Sequence, residues 1–335
     1  MAASSNKVMT SPGLAVRVPR RMGEAVRRLL HFRGLLDMER AIVGEDSHIL
    51  IPVKSPADNL PEGCNLVEAM LPVRSVRRPP SSPGVSFDVV GSIAVINREL
   101  DAETARRIGL MILEGHPNIK TVLVKTGPVS GEERVGEYRV VAGIPETETV
   151  HRESGCIFRL DLSKVFFNPR LSTERRRIAE QSRPGEVVVD MFAGVGPFSI
   201  VLAKMNKTAR VYAAEKNGYA FRYLVENIRL NRLEDRVTAF FGDSSTVFEG
   251  LDIVADRVIM NLPHRSHEFL PAATHLARRG GVIHLYTVVR NNLDEKVRTA
   301  CETVKSEGRE VVAVSSRMVK EVSPSQAIAR IDLWL

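Results

Sequence analysis

From Pro169 to the carboxyl terminus, short apolar runs alternate with segments whose apolar residues recur at helical spacing. The pattern predicts strands at EVVVDMF (186–192), RVYAAE (210–215), RVTAFFGD (236–243), DRVIMNL (256–262) and GGVIHLYTVV (280–289). It predicts helices at PFSIVLAKM, NGYAFRYLVENIRLN, SHEFLPAATHLA and NNLDEKVRTACETVKSEG. Such alternation builds a mostly parallel sheet with helices on both faces, here over 169–335. EVVAVSSRMV (310–319) and AIARIDLWL (327–335) read as a closing antiparallel pair.

Upstream, the pattern is richer in strands. FDVVGSIAVI (87–96), TVLVK (121–125), EYRVVAG (137–143) and CIFRLDLSKVFF (156–167) read as strands, with a helix at ETARRIGLMILEG. These make an α+β domain over 85–168. Before it, AVRVP, GEAVRRLLHFRGLL and HILIPV read as strand, helix and strand, a small α+β module over 14–56. The Pro, Gly, Ser and Asn content of KSPADNLPEG and SVRRPPSSPG marks 57–84 as linker. Residues 1–13 carry no pattern and are expected to be disordered.

Composition narrows the class. The 335 residues suffice for two or three domains, and 44% hydrophobic with 26% charged residues is ordinary for a soluble globular protein. No apolar run reaches the roughly 18 residues that span a bilayer, and no apolar core follows Lys7 to make a secretory signal. Cys64, Cys156 and Cys301 are too scattered for a metal site or a disulfide framework, which suits a cytoplasmic protein without a metal. The net charge is +7, from 47 Lys+Arg against 40 Asp+Glu. The clusters Arg20-Arg21, Arg27-Arg28, Arg77-Arg78 and Arg175-Arg176-Arg177 can bind phosphate and stack on bases, or can be solvated helix faces.

VVVDMFAGVGPF carries the first candidate chemistry. Asp190 sits near a strand end, and Gly194 and Gly196 turn the chain into a helix, where glycine lets backbone approach a ligand. A dinucleotide fingerprint would need glycine at 199, where this chain has Ser199, so a pyrophosphate site is disfavoured. An acid before the glycines suits a ligand with an amino group. Glu215 ends the next strand and can accept both hydroxyls of a ribose; Asp243 ends the third and can pair with an exocyclic amine such as adenine N6. Amino acid, ribose and adenine together describe S-adenosylmethionine. Glu215 and Asp243 could instead only cap the helices that follow.

The fourth strand ends at Asn261, followed by Leu262 and Pro263. A carboxamide offers donors and an acceptor in one plane, matching the edge of an amide or nucleobase, and proline fixes the backbone behind it. His264 and His267 read as surface or packing residues, and Met260 and Phe269 as core.

DMFAGVGPF, NLPHRSHEFL and FRLDLSKVFFNPRLSTER resemble the archaeal and eukaryotic tRNA (guanine-37 N1)-methyltransferases. KTGPVSGEERVGEYRVVAG and TVHRESGC extend the resemblance, and AVRVPRRMGEAVRRLL, GLLDMERAI and HILIPV resemble the small N-terminal domain of the archaeal form. The likeness covers roughly residues 14–335. It implies a class I methyltransferase, Rossmann-like, with S-adenosyl-L-methionine as cofactor. It implies Phe166 and Arg170 in the cofactor pocket with Phe192, Gly194, Glu215 and Asp243, and Glu174 as general base. Arg134 would face guanine O6, and Asn261 with Pro263 would hold the base. The wider amino-methyltransferase pattern Asn-Pro-Pro-aromatic is here Asn-Leu-Pro-His, so another side chain must replace the aromatic clamp.

Guanine N1 is a poor nucleophile until its proton leaves. A carboxylate can take that proton, and a guanidinium can stabilise the charge that builds on O6. On sequence alone, Glu174 could equally be a first-turn helix acid and Arg134 a surface cation. The implied partner is tRNA, at the anticodon stem-loop and, through the N-terminal module, at the outer corner; membrane and DNA are not expected, and a monomer is. Two alternatives share the scaffold: an aminocarboxypropyl transferase of wybutosine synthesis, and a bifunctional enzyme that also methylates a wyosine intermediate. A non-catalytic tRNA-binding protein is the alternative of another class.

Overall fold

The computed structural model describes residues 10–73, 84–127, 136–323 and 325–335. The chain divides into two compact units, residues 1–78 and 79–335.

The first unit holds β1 (Thr10–Pro19), α1 (Gly23–Phe32), β2 (Val43–Gly44), β3 (His48–Pro52) and β4 (Asn65–Pro72), with sheet order β2-β3-β1-β4. Alternation along β1 sorts its side chains to two faces. Val16 and Val18 meet Val26 and Leu30 of α1, while Ala15 packs with Leu50 and Leu71 on the other face. Two sequence expectations need correction. β1 starts at Thr10, inside the segment expected to be disordered; residues 1–9 lie outside the described residues. β4 lies inside the expected linker, where it pairs antiparallel with β1 from Thr10↔Pro72 to Arg17↔Asn65. The sheet uses β4 to cover the open edge of β1 and to bury Leu71, which local turn composition did not reveal.

The second unit begins with β5 (Phe87–Val90), β6 (Ile93–Ile96), α2 (Ala102–Gly115), β7 (Thr121–Lys125) and β8 (Tyr138–Gly143), a four-stranded sheet in that strand order. FDVVGSIAVI is a hairpin, not one strand. Gly91 turns the chain at φ +57°, and a Cβ there would stand 2.3 Å from Thr149 Oγ1. A second hairpin follows, β9 (Glu148–Glu153) and β10 (Cys156–Asp161).

The rest is the doubly wound sheet. In chain order it comprises α3 (Ser172–Gln181), β11 (Val187–Asp190), α4 (Pro197–Met205), β12 (Arg210–Glu215), α5 (Gly218–Asn231), β13 (Val237–Phe241), β14 (Ala255–Met260), α6 (Leu270–Leu276), β15 (Ala277–Val289), α7 (Leu293–Ser306), β16 (Ala313–Ser323) and β17 (Gln326–Trp334). Strand order is β13-β12-β11-β14-β15-β17-β16, parallel up to β15 and antiparallel after it. Val188, Ala213 and Ile259 point to the face covered by α3, α4 and α5; Val189, Val258 and Ile283 point to the opposite core with α6 and α7.

The boundary expected at 168/169 does not separate compact units, because β10 is bound to α5 by side-chain amides. Asn231 accepts from Ile157 N at 2.9 Å and donates to Ile157 O at 2.7 Å; Asn227 does the same with Arg159 at 2.7 and 3.0 Å. The two amides act as a surrogate strand that satisfies the edge of β10.

Candidate functional site

The strands β13, β12, β11 and β14 lie side by side in that order, so Asp243, Glu215, the turn after Asp190, and Asn261 follow one another along one edge of the sheet. A cavity of about 250 Å³ opens there, with Phe166, Phe192, Gly194, Glu215, Asp243 and Asn261 all on its wall. Open α/β sheets bind ligands beyond the carboxyl ends of their strands, at such an edge.

The glycine turn is built by its acids. Glu215 accepts from Gly194 N through Oε2 and from Asn217 N through Oε1, both at 2.7 Å. Asn217 in turn caps α5 by accepting from Tyr219 N and Ala220 N. Gly194 adopts φ +57° and a Cβ there would meet nothing within 4 Å, so its backbone faces open space on the cavity wall. Gly196 is different. It does not line the cavity, its φ is +90°, and a Cβ would stand 2.7 Å from Leu224 Cδ1 and 2.8 Å from Ile200 Cδ1. Its role is to let α4 pack closely on α5. Asp243 accepts from Ser245 N and Oγ through Oδ1, which holds its carboxyl below the usual range.

Besides Gly196, the expected site residues Asp190, Arg170 and Pro263 lie off the cavity wall for physical reasons. Asp190 is wholly buried: Oδ2 accepts from Ser199 Oγ at 2.6 Å, and among the described residues Oδ1 has no hydrogen-bond partner. Burial pushes its pKa up to about 6. Arg170 is drawn outward by Asp88, with Nε 2.5 Å from Oδ1. Pro263 is buried behind the wall, and its carbonyl accepts from Val288 N at 3.0 Å, tying the turn to β15. Leu262 O accepts from Arg265 N and Ser266 N, so the Asn-Leu-Pro turn is tightly closed. Arg134 lies outside the described residues.

Glu174 opens α3 and is not on the cavity wall. Its Oε2 accepts from Arg177 Nε at 2.9 Å and Tyr286 Oη at 3.1 Å, and the side chain is 12% exposed.

The sequence reading missed several wall residues. Phe269, read as core, lines the cavity and sets its ring edge-on to Phe192 at 4.9 Å. Arg175, read as part of a surface cluster, is 1% exposed, pairs with both oxygens of Glu153, and reaches the wall between Phe167 and Phe198. Its position one helical turn from Leu171 and Ile178, both buried, was the available signal. His264 and His267 are exposed, and Met260 is core.

Comparison with known proteins gives the family of the chain. The TRM5/TYW2 methyltransferase domain matches residues 149–313, the tRNA methyltransferase 5 N-terminal domain matches 15–62, and the TYW2 N-terminal domain matches 80–147. The tRNA (guanine(37)-N(1))-methyltransferase Trm5b of Pyrococcus abyssi is 41% identical over 95% of this chain and 98% of its own length. Its crystal structure covers 96% of this chain and 99% of its own at a TM-score of 0.69. The structure of aTrm5 in complex with tRNALeu covers 96% and 99% at 31% identity and a TM-score of 0.67. A tRNA(Phe) (4-demethylwyosine(37)-C(7)) aminocarboxypropyltransferase of Methanocaldococcus jannaschii is 35% identical, over 72% of this chain and 94% of its own length. With a Trm5b relative 41% identical over 95% of its length, the chain belongs to the TRM5/TYW2 methyltransferase family.

Proposed function

We propose that the chain transfers the methyl group of S-adenosylmethionine to N1 of guanosine 37 in tRNA. The observation that carries this reading is the succession Asp243, Glu215, Gly194 and Asn261 around one cavity at adjoining strand ends. The donor set fits the cofactor. Two carboxylates beside each other suit an adenine amine and a ribose diol, and the bare backbone at Gly194 leaves room for the aminoacyl part. Phe166, Phe192 and Phe269 supply apolar wall. When bound, S-adenosylmethionine supplies a methyl group on a cationic sulfur, already activated for attack.

The chain's own residues do the rest. Asn261, held on a turn that Pro263 and Val288 fix in place, presents its carboxamide to the edge of the base. Glu174 takes the N1 proton, a contribution typically worth about 10²–10⁴-fold. Arg134 stabilises the charge on O6. Position 37 adjoins the anticodon in a stacked loop, so the base must be extruded to reach the site. The N-terminal unit makes a second contact on the outer corner of the tRNA. Likeness to Trm5b through that unit favours methyl transfer over aminocarboxypropyl transfer, whose relative matches a smaller share of the chain.

Replacing Glu174 with Gln tests the base. Single-turnover methylation should fall about a hundredfold while cofactor affinity stays unchanged. Full activity would remove Glu174 from the chemistry.

A further inference from the structure

A polar stripe crosses the sheet face beneath α3. His284 and Tyr286 of β15 stand opposite Asp332 and Arg330 of β17, and directly paired residues share a face. Arg257 of β14 joins them, with Nη1 2.5 Å from His284 Nε2. A guanidinium can only donate, so Nε2 accepts and the ring is neutral. His284 Nδ1–H therefore donates to Asp332 Oδ1, at 2.7 Å. Burial, with Arg257 and Arg177 nearby, also pushes this imidazole towards its neutral form. Asp332 Oδ2 accepts from Arg177 Nη1 at 3.0 Å and from Arg330 Nη1. The guanidinium of Arg177 is thus anchored at one end on Asp332, and its Nε is aimed at Glu174.

Tyr286 completes the arrangement. It is fully buried, with its ring 5.7 Å from that of Phe198 on the cavity wall, and its hydroxyl donates to Glu174 Oε2. Burial and the neighbouring Glu174 carboxylate push its pKa upwards, so it remains a neutral donor. Its backbone carbonyl accepts from Ser266 Oγ at 2.7 Å, and two residues on, Val288 N donates to Pro263 O. One short piece of β15 therefore grips both Glu174 and the turn that carries Asn261. Both of the hydrogen bonds that Glu174 accepts fall on Oε2; among the described residues none falls on Oε1.

We propose that Tyr286 is a positioning residue for methyl transfer: with Arg177 it saturates Oε2 of Glu174 and so aims Oε1 at the proton on N1 of the base. In that step the N1–H bond breaks, the Oε1–H bond forms, and the electron pair stays on N1 for attack. The proposal rests on Glu174 being the base, and the test separates the two.

Tyr286→Phe keeps the ring and removes the donor. In steady-state methylation of tRNA, kcat should fall about tenfold or more, because small misplacement of a reacting group is costly. KM for tRNA and the affinity for S-adenosylhomocysteine, read by calorimetric titration, should stay within about twofold. In a Glu174→Gln background the same substitution should cause no further loss, since it acts only through the carboxylate. Arg177→Lys carries the same test if Tyr286→Phe does not fold. An unchanged kcat in a folded Tyr286→Phe protein, or an equal fractional loss in both backgrounds, overturns the proposal while leaving Glu174 as base. Full activity of Glu174→Gln alone overturns the base assignment and this proposal with it.

Discussion

Glu215 Oε2 accepts a 2.7 Å hydrogen bond from Gly194 N, so the acid at the end of β12 holds the glycine turn at the end of β11. Its other oxygen accepts from Asn217 N. A carboxylate at this strand end, on the cavity wall, suits a ribose diol. In Glu215→Gln the new amide must face one of the two backbone donors. Hydrogen bonds to charged groups contribute about 1.5–3 kcal/mol. Affinity for S-adenosylhomocysteine, measured by calorimetric titration, should fall at least about tenfold; an unchanged affinity would contradict the ribose assignment.

The two glycines of the turn should separate binding from stability. Gly196→Ala forces a Cβ against Leu224 and Ile200 at φ +90°, and should lower stability by about 2–4 kcal/mol in chemical denaturation. Gly194→Ala meets open space, costs only about 1–2 kcal/mol of left-handed strain, and should weaken cofactor binding more than folding. Equal effects of both substitutions on both readouts would contradict this division.

Two buried acids should give opposite pH dependences. Asp190 has its pKa raised to about 6, so the folded state holds a proton that the unfolded chain releases near pH 4. Stability should therefore fall by about 3 kcal/mol as pH rises from about 4 to about 6, then stay level. Asp190→Asn should flatten that decline in denaturation curves taken across this range. For Asp332, burial acts to raise the pKa, but the hydrogen bond from His284 and the charges of Arg177 and Arg330 hold it at about 2. Its contribution is complete above about pH 4 and is lost as pH falls towards 2.

Much of the sheet was legible in the sequence because its strands are short apolar runs divided by amphipathic helices. Glu215, Asp243 and Asn261 could be found because each ends such a run, and all three reach the cavity. Asp190 ends a run too, but its side chain points beneath the turn to Ser199, and strand alternation alone did not say so. Arg170 looked like a pocket residue until long-range pairing with Asp88 carried it outward, an effect of tertiary structure. The polar stripe left a trace: His284 and Tyr286, like Arg330 and Asp332, alternate with apolar neighbours. Period-two polar positions inside otherwise apolar strands were the overlooked signal. β4 was missed for a different reason, since its worth comes from β1, far off in sequence.

β4 also sets where a truncation must be made. Removing residues 1–56 would strand β4 without its partner β1, whereas removing 1–78 takes away a whole compact unit. The shorter protein should keep its affinity for S-adenosylhomocysteine and for an anticodon stem-loop. It should bind full-length tRNA more weakly than the intact chain does, by filter binding at fixed salt. Unchanged affinity for full-length tRNA would contradict an outer-corner contact.

The central claim is methyl transfer to one nitrogen of one purine. The most direct test is to incubate the intact protein with labelled S-adenosylmethionine and unmodified tRNA, digest the RNA, and identify the modified nucleoside and its position by mass. The account predicts 1-methylguanosine at position 37, with a gain of one methyl group. A product carrying the larger aminocarboxypropyl group, or a methyl group elsewhere, would contradict it.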